Sequence, residues 1–125
     1  MHWTTAYLGE PWISGVSDCW AFARRLWRDR WGLDVPNVSV DPASAIDGRR
    51  AFRDQMHPQW RPTSEPCEGD AVLMAMGGAP CHVGIWIAPG LVLHSVERAG
   101  VIITHLSDLG RLGYRVAGLY RWQDA

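Results

Sequence analysis

The hydrophobic pattern of this chain changes character twice, near Pro36 and near Pro66, and those changes limit the fold more than any other feature. In the first block, apolar residues at Trp20, Ala23, Trp27 and Trp31 recur at helical spacing, with Phe22 and Leu26 widening the stripe. Ser17 or Asp18 can cap this helix at its start, and Gly32 followed by Pro36 can stop it. In the last block the period falls to that of strands bounded by turn residues. Runs over Asp70 to Met76, His82 to Ile87, Leu91 to Val96, Gly100 to Thr104 and Tyr114 to Trp122 are separated by Gly77-Gly78-Ala79-Pro80, by Pro89-Gly90 and by a polar, glycine-containing connection through Ser107-Asp108-Leu109-Gly110. A helix followed by an antiparallel meander of about five strands predicts an α+β architecture.

Between the two blocks, Val35 to Pro66 carries five prolines (36, 42, 58, 62 and 66), which predicts loops with one short helix around Ala43 to Gln55. Such loops are where substrate specificity is expected to reside. A chain of 125 residues suffices for one continuous core and not for two, so residues 1–125 are read as a single domain.

Charge excludes one broad class of function. The formal charge of −1 lacks the strongly basic face of nucleic-acid-binding domains, so no nucleic-acid partner is expected. Arg24, Arg25, Arg28 and Arg30 do cluster, as the solvated face of a helix would. Three cysteines without disulfide-scaffold spacing point to a reducing compartment or a reactive thiol. The first fifteen residues contain no apolar stretch of signal-peptide length and no run approaches a membrane span, so synthesis in the cytoplasm without membrane insertion is expected. Eight tryptophans serve either as core or as walls of a cleft.

The chemistry centres on Cys19, which falls in the first turn of the amphipathic helix. Unpaired N–H groups and the helix dipole favour a thiolate there. A lone cysteine is more often structural, but two histidines change the balance. His82 opens one strand and His94 lies in the next, after the Pro89-Gly90 turn, so the two can meet on one face of a hairpin. A nucleophile, a base and a group that orients the base are what acyl transfer through a thioester requires.

Asp18-Cys19-Trp20 opens a helix that closes in Gly32-Leu33-Asp34-Val35-Pro36. Gly69-Asp70 precedes an apolar strand, and His82-Val83-Gly84-Ile85, Leu93-His94-Ser95 and Val116-Ala117-Gly118-Leu119-Tyr120-Arg121 follow. As an ordered set these resemble the landmarks of the NlpC family of papain-like cysteine peptidases, particularly the short members associated with phage tail tips. The resemblance runs from Gly9 to Arg121 and leaves the Pro-rich middle unmatched. It implies a papain-like fold, Cys19 as nucleophile, His82 as general base and then acid, His94 as orienting group, and the backbone N–H of Cys19 in the oxyanion hole. It also implies a peptidoglycan stem peptide as substrate, cut between D-glutamate and a diamino acid, and a place in a phage tail tip or similar particle beside other tail-tip proteins.

One departure concerns Gly9-Glu10-Pro11-Trp12. Many members carry a tyrosine where Trp12 stands, and an indole N–H can donate a hydrogen bond but cannot accept one. Trp12 is therefore a candidate for oxyanion or substrate binding with altered chemistry. Asp18 reads either as the helix cap or as a contact for a substrate amine. Cys67, Cys81, His82, His94 and His105 lack the local pairs typical of zinc sites, so no metal or other cofactor is expected, and strand alternation predicts that Cys81 is core. Two rival functions fit the same residues: a non-catalytic tail-assembly module, or an amidase or acyltransferase acting on another amide.

Overall fold

A computed structural model describes residues 2–36 and 59–123. The expected helix forms as α1, Cys19–Trp31. Asp18 is its cap, with a carboxylate oxygen accepting from the Ala21 N–H at 2.9 Å. Gly32 ends it in the left-handed region, at φ 64°, donating to the Arg28 carbonyl. Glycine enters that region without the Cβ clash other residues meet. Trp20, Phe22, Ala23, Leu26 and Trp27 are buried, which is the stripe that the periodicity indicated.

Six antiparallel strands follow: β1 (Trp60–Pro62), β2 (Ala71–Met76), β3 (Ala79–Ala88), β4 (Leu91–Val96), β5 (Gly100–His105) and β6 (Arg115–Trp122). They form one sheet in the order β1-β6-β2-β3-β4-β5. The chain thus runs as a meander from β2 to β5, crosses back through a 3₁₀ helix over Leu106–Leu112, and inserts β6 between β2 and β1. The α+β reading stands, with six strands rather than about five.

Alternation along these strands divides the apolar side chains between two faces. Leu73, Val83, Ile85, Ile87, Leu93 and Val101 pack with the buried face of α1. Val72, Met74, Val92 and Leu109 form a second cluster, joined by Trp86, Leu106, Tyr114 and Leu119. The sheet is consequently covered on one side by α1 and on the other by the 3₁₀ segment.

Three readings need correction. The proline-rich block is not loop throughout, because Trp60–Pro62 pairs with β6. Trp60 is buried against Trp27 and Trp122, and Pro62 is tolerated because β1 is an edge strand. The connection at Ser107 to Gly110 is a 3₁₀ helix, with His105 accepting from the Ser107 N–H at its start. Cys81 is exposed rather than core. The pairing Met74↔His82 is followed by Ala75↔Pro80, so Cys81 is the extra residue of a β-bulge, and simple alternation fails across an inserted residue. The short helix expected around Ala43 to Gln55 lies outside the described residues.

The clustered arginines are locally engaged. Arg24 donates to the Val35 carbonyl at 2.8 Å, Arg25 pairs with Glu10, and Arg30 lies 4.1 Å over the ring of Trp3. No helix among the described residues is long and apolar enough to cross a membrane.

Candidate active site

Cys19 is the first residue of α1, half-buried, on the helix that packs against β3 and β4. Its sulfur lies near the bulged start of β3, close enough to the backbone N–H groups of Val83 and Trp20 for both to favour the thiolate. The bulge at Cys81 immediately precedes His82, so the irregularity in the sheet falls at the part of the strand nearest Cys19. Bulges re-aim side chains in this way beside functional sites.

His82 and His94 do meet. His82 Nε2 lies 2.8 Å from His94 Nδ1, and His94 Nε2 lies 2.8 Å from Thr104 Oγ1. The register explains the contact. Ile85 pairs with Leu93, so continuing the ladder places His94 opposite Gly84 and diagonal to His82 on the same face. Gly84 leaves the required space: a Cβ there would lie 2.5 Å from Val92 Cγ1 and 3.0 Å from His94 Cβ. Thr104 is reached through β5, where His94 pairs with Ile102 and Thr104 follows two residues later on that face.

Burial sets the protonation states. His82 and His94 are 4% and 0% exposed. Desolvation, aided by the neighbouring His94, pulls His82 down to about 3, and desolvation alone pulls His94 down to about 4. Burial pushes the Cys19 thiol up to about 12, the Asp18 charge adds to the rise, and the Val83 and Trp20 N–H groups oppose it. The resting site is therefore a neutral thiol beside two neutral imidazoles. With Nε2 of His82 engaged by His94, Nδ1 is the ring nitrogen without a hydrogen-bond partner among the described residues.

Asp18 uses both oxygens on backbone groups, Oδ1 on Ala21 and Oδ2 on the Gly15 N–H at 2.7 Å. Trp12 is half-buried in the irregular segment before the turn that leads into α1, and its indole makes no hydrogen bond with a described residue. Cys67 is exposed beyond β1, His105 is exposed at the end of β5, and no cluster among the described residues is arranged to hold a metal ion.

The sequence matches the NlpC/P60 family model over residues 7–111, most of the chain. This chain belongs to the NlpC/P60 family. It is similar to the Escherichia coli protein described as murein DD-endopeptidase MepS/murein LD-carboxypeptidase, with 28% identity over 101 residues, 81% of this chain. A probable endopeptidase of Haemophilus influenzae is 26% identical over 109 residues, 82% of this chain. The chain spans 47% and 60% of the lengths of these two relatives. In fold it resembles the NlpC/p60 domain of the peptidoglycan hydrolase SagA, with a TM-score of 0.59 at 17% identity over 94% of this chain and 90% of that one.

Three residues in this NlpC/P60 chain were not singled out by sequence reasoning. Thr104 closes the hydrogen-bonded series from His82. Ser95, fully buried, donates to the Ser17 carbonyl at 2.6 Å, and Ser17 donates to the Pro11 carbonyl at 2.5 Å. The strand that carries His94 thereby holds the turn that leads into Cys19. Tyr114 stacks on His82, ring centroids 4.5 Å apart and planes inclined by 12°. A polar residue alternating out of phase with His94 was the available sign for Ser95. Tyr114 had no local sign.

Proposed function

We propose that this chain is a cysteine peptidase that hydrolyses amide bonds in the peptide stems of peptidoglycan, with Cys19, His82 and His94 as its working residues. The observation that carries the reading is the series His82–His94–Thr104, joined by two contacts of 2.8 Å, at the strand start that also contacts the Cys19 sulfur. Family membership and the murein-directed relatives support the substrate class.

The tautomer that makes His82 a base follows from the network. If His94 Nε2–H donates to Thr104, His94 Nδ1 accepts from His82 Nε2–H, and the lone pair of His82 Nδ1 is free. The S–H proton passes to Nδ1 as the sulfur attacks the carbonyl carbon and the C=O pair moves onto oxygen. Charge separation is coupled to attack, since burial disfavours either ion alone. The Cys19 N–H at the helix start has no partner among the described residues and can receive the oxyanion. Collapse breaks the C–N bond, and the leaving nitrogen takes the proton back from Nδ1. Water, deprotonated by His82, then releases the acid from the thioester.

Asp18 retains lone pairs beyond its two backbone contacts, so a substrate amine can add to the cap role. Trp12 lies in the segment leading to Cys19 and is assigned to the substrate side as a donor only. The bond between D-glutamate and a diamino acid is the first choice. The E. coli relative's description favours a second reading, in which the bond lies at a D,D-crosslink or an L,D-terminus. Resemblance to short tail-tip members supports delivery of the domain as part of a phage tail tip or similar particle. Mass spectrometry of defined muropeptides after incubation with the protein and with Cys19→Ala distinguishes these bonds by product mass. Absence of cleavage by the unaltered protein across all stem types would instead favour a tail-assembly module or another amide substrate.

A further inference from the structure

Tyr114 is placed by the backbone rather than by its own strand. The 3₁₀ helix over Leu106–Leu112 ends at Gly113, whose φ is 87°, and the Tyr114 N–H returns to the Leu109 carbonyl at 3.1 Å. Tyr114 packs against the second apolar cluster, formed by Val72, Met74, Val92 and Leu109. The phenol ring is thereby laid nearly parallel on His82, at 4.5 Å and 12°, and edge-on to His94 at 6.5 Å. Its hydroxyl makes no hydrogen bond with a described residue. What Tyr114 offers the site is therefore the face of its ring.

A hydrogen bond through Nε2 fixes one point of the His82 ring but not its plane. The stacked phenol fixes the plane, and so the direction of Nδ1. Its effect also differs between states. Neutral imidazole on a phenol face is ordinary aromatic packing, whereas an imidazolium there meets the negative face of the ring quadrupole. The contact therefore strengthens as the proton leaves sulfur for nitrogen, and an interaction that grows only along the reaction raises kcat rather than lowering KM.

We propose that Tyr114 is a positioning residue for His82, holding the imidazole plane toward Cys19 and stabilising the imidazolium face-on as the thiol is deprotonated. The inference rests on the assignment of Cys19 and His82 made above.

Two readouts test it. The first is muropeptide hydrolysis. The second is the rate at which iodoacetamide alkylates Cys19 at neutral pH, followed by peptide mass spectrometry that resolves Cys19 from the exposed Cys67 and Cys81. Alkylation needs His82 as proton acceptor but no wall substrate. Tyr114→Phe keeps the ring face and is expected to stay within about twofold of the unaltered protein in both readouts, whereas Tyr114→Leu is expected to lower kcat and the alkylation rate roughly 2- to 30-fold with KM nearly unchanged. Tyr114→pentafluorophenylalanine keeps the shape and reverses the quadrupole, so it should behave like Leu even if the Leu variant folds poorly. Unchanged alkylation in the Leu and pentafluoro variants overturns the inference, as does a Phe variant as impaired as Leu. If the unaltered protein cleaves no muropeptide, the substrate reading fails while the alkylation series still decides the role of Tyr114.

Discussion

Two buried neutral imidazoles should make the fold sensitive to mild acid. An unfolded histidine titrates near 6.5, whereas His82 and His94 are held down to about 3 and about 4, by burial in both cases and by each other's proximity for His82. Below 6.5 the unfolded chain takes up protons that the native chain refuses. The stability contributed by each ring is complete above 6.5 and is lost as pH falls toward the folded value. Each ring removes up to about 1.4 kcal/mol per pH unit, which integrates to about 1.6 kcal/mol between pH 6.5 and 5.0 and to about 3 kcal/mol for the pair. That window lies above the ordinary carboxylate range, so acidic side chains contribute little to the slope. Urea unfolding followed by tryptophan fluorescence at pH 7.5, 6.5, 5.5 and 5.0 would measure it. His94→Asn should show about half the loss. Stability that stays flat between pH 6.5 and 5.0, or imidazole NMR signals of His82 and His94 that titrate near 6.5, would refute the reasoning.

Other changes bear on how the site is held. Gly84→Ala places a Cβ 2.5 Å from Val92 Cγ1 and should cost about 1–3 kcal/mol by overpacking, with kcat/KM falling as β4 and His94 are pushed from His82; denaturation and kinetics on the same samples check both. Ser95→Ala strands the Ser17 carbonyl, and a loss of about 1–3 kcal/mol in urea unfolding is expected, accompanied by slower turnover as the turn before Cys19 loosens. Asp18→Asn keeps a good helix cap but removes the charge that raises the Cys19 thiol. Because the amide keeps only one of the two oxygens that accept from Ala21 and Gly15, a loss of about 1 kcal/mol in stability is expected, and the pH midpoint for Cys19 alkylation should move down; a raised KM would assign the carboxylate to a substrate amine.

Helix α1 and the β3–β4 hairpin were legible because their signals are local. The stripe through Trp20, Ala23 and Trp27 is wide, Gly32 punctuates its end, and Pro89-Gly90 fixes the turn that brings His82 and His94 onto one face. β1 was hidden because three residues ending in Pro62 carry no period, and only burial of Trp60 beside Trp27 gives them a place. Cys81 was misread for a related reason, since the bulge depends on how β2 pairs and not on the residue itself. Thr104, Ser95 and Tyr114 act across strands or across the sheet. The β4–β5 register brings Thr104 to His94, and the crossover through Leu106–Leu112 delivers Tyr114 to His82. Pairings of that kind are fixed by tertiary structure, and the sequence pattern alone does not select them.

The central claim is that Cys19 attacks substrate and forms a thioester. Rapid quenching in acid during turnover of a defined stem peptide, followed by intact-protein and peptide mass spectrometry, tests it most directly. The expected result is an acyl mass on the Cys19 peptide that is removed by hydroxylamine, and that is absent in Cys19→Ala together with turnover. Hydrolysis that persists without Cys19, or an acyl group found on Cys67 or Cys81, would contradict it.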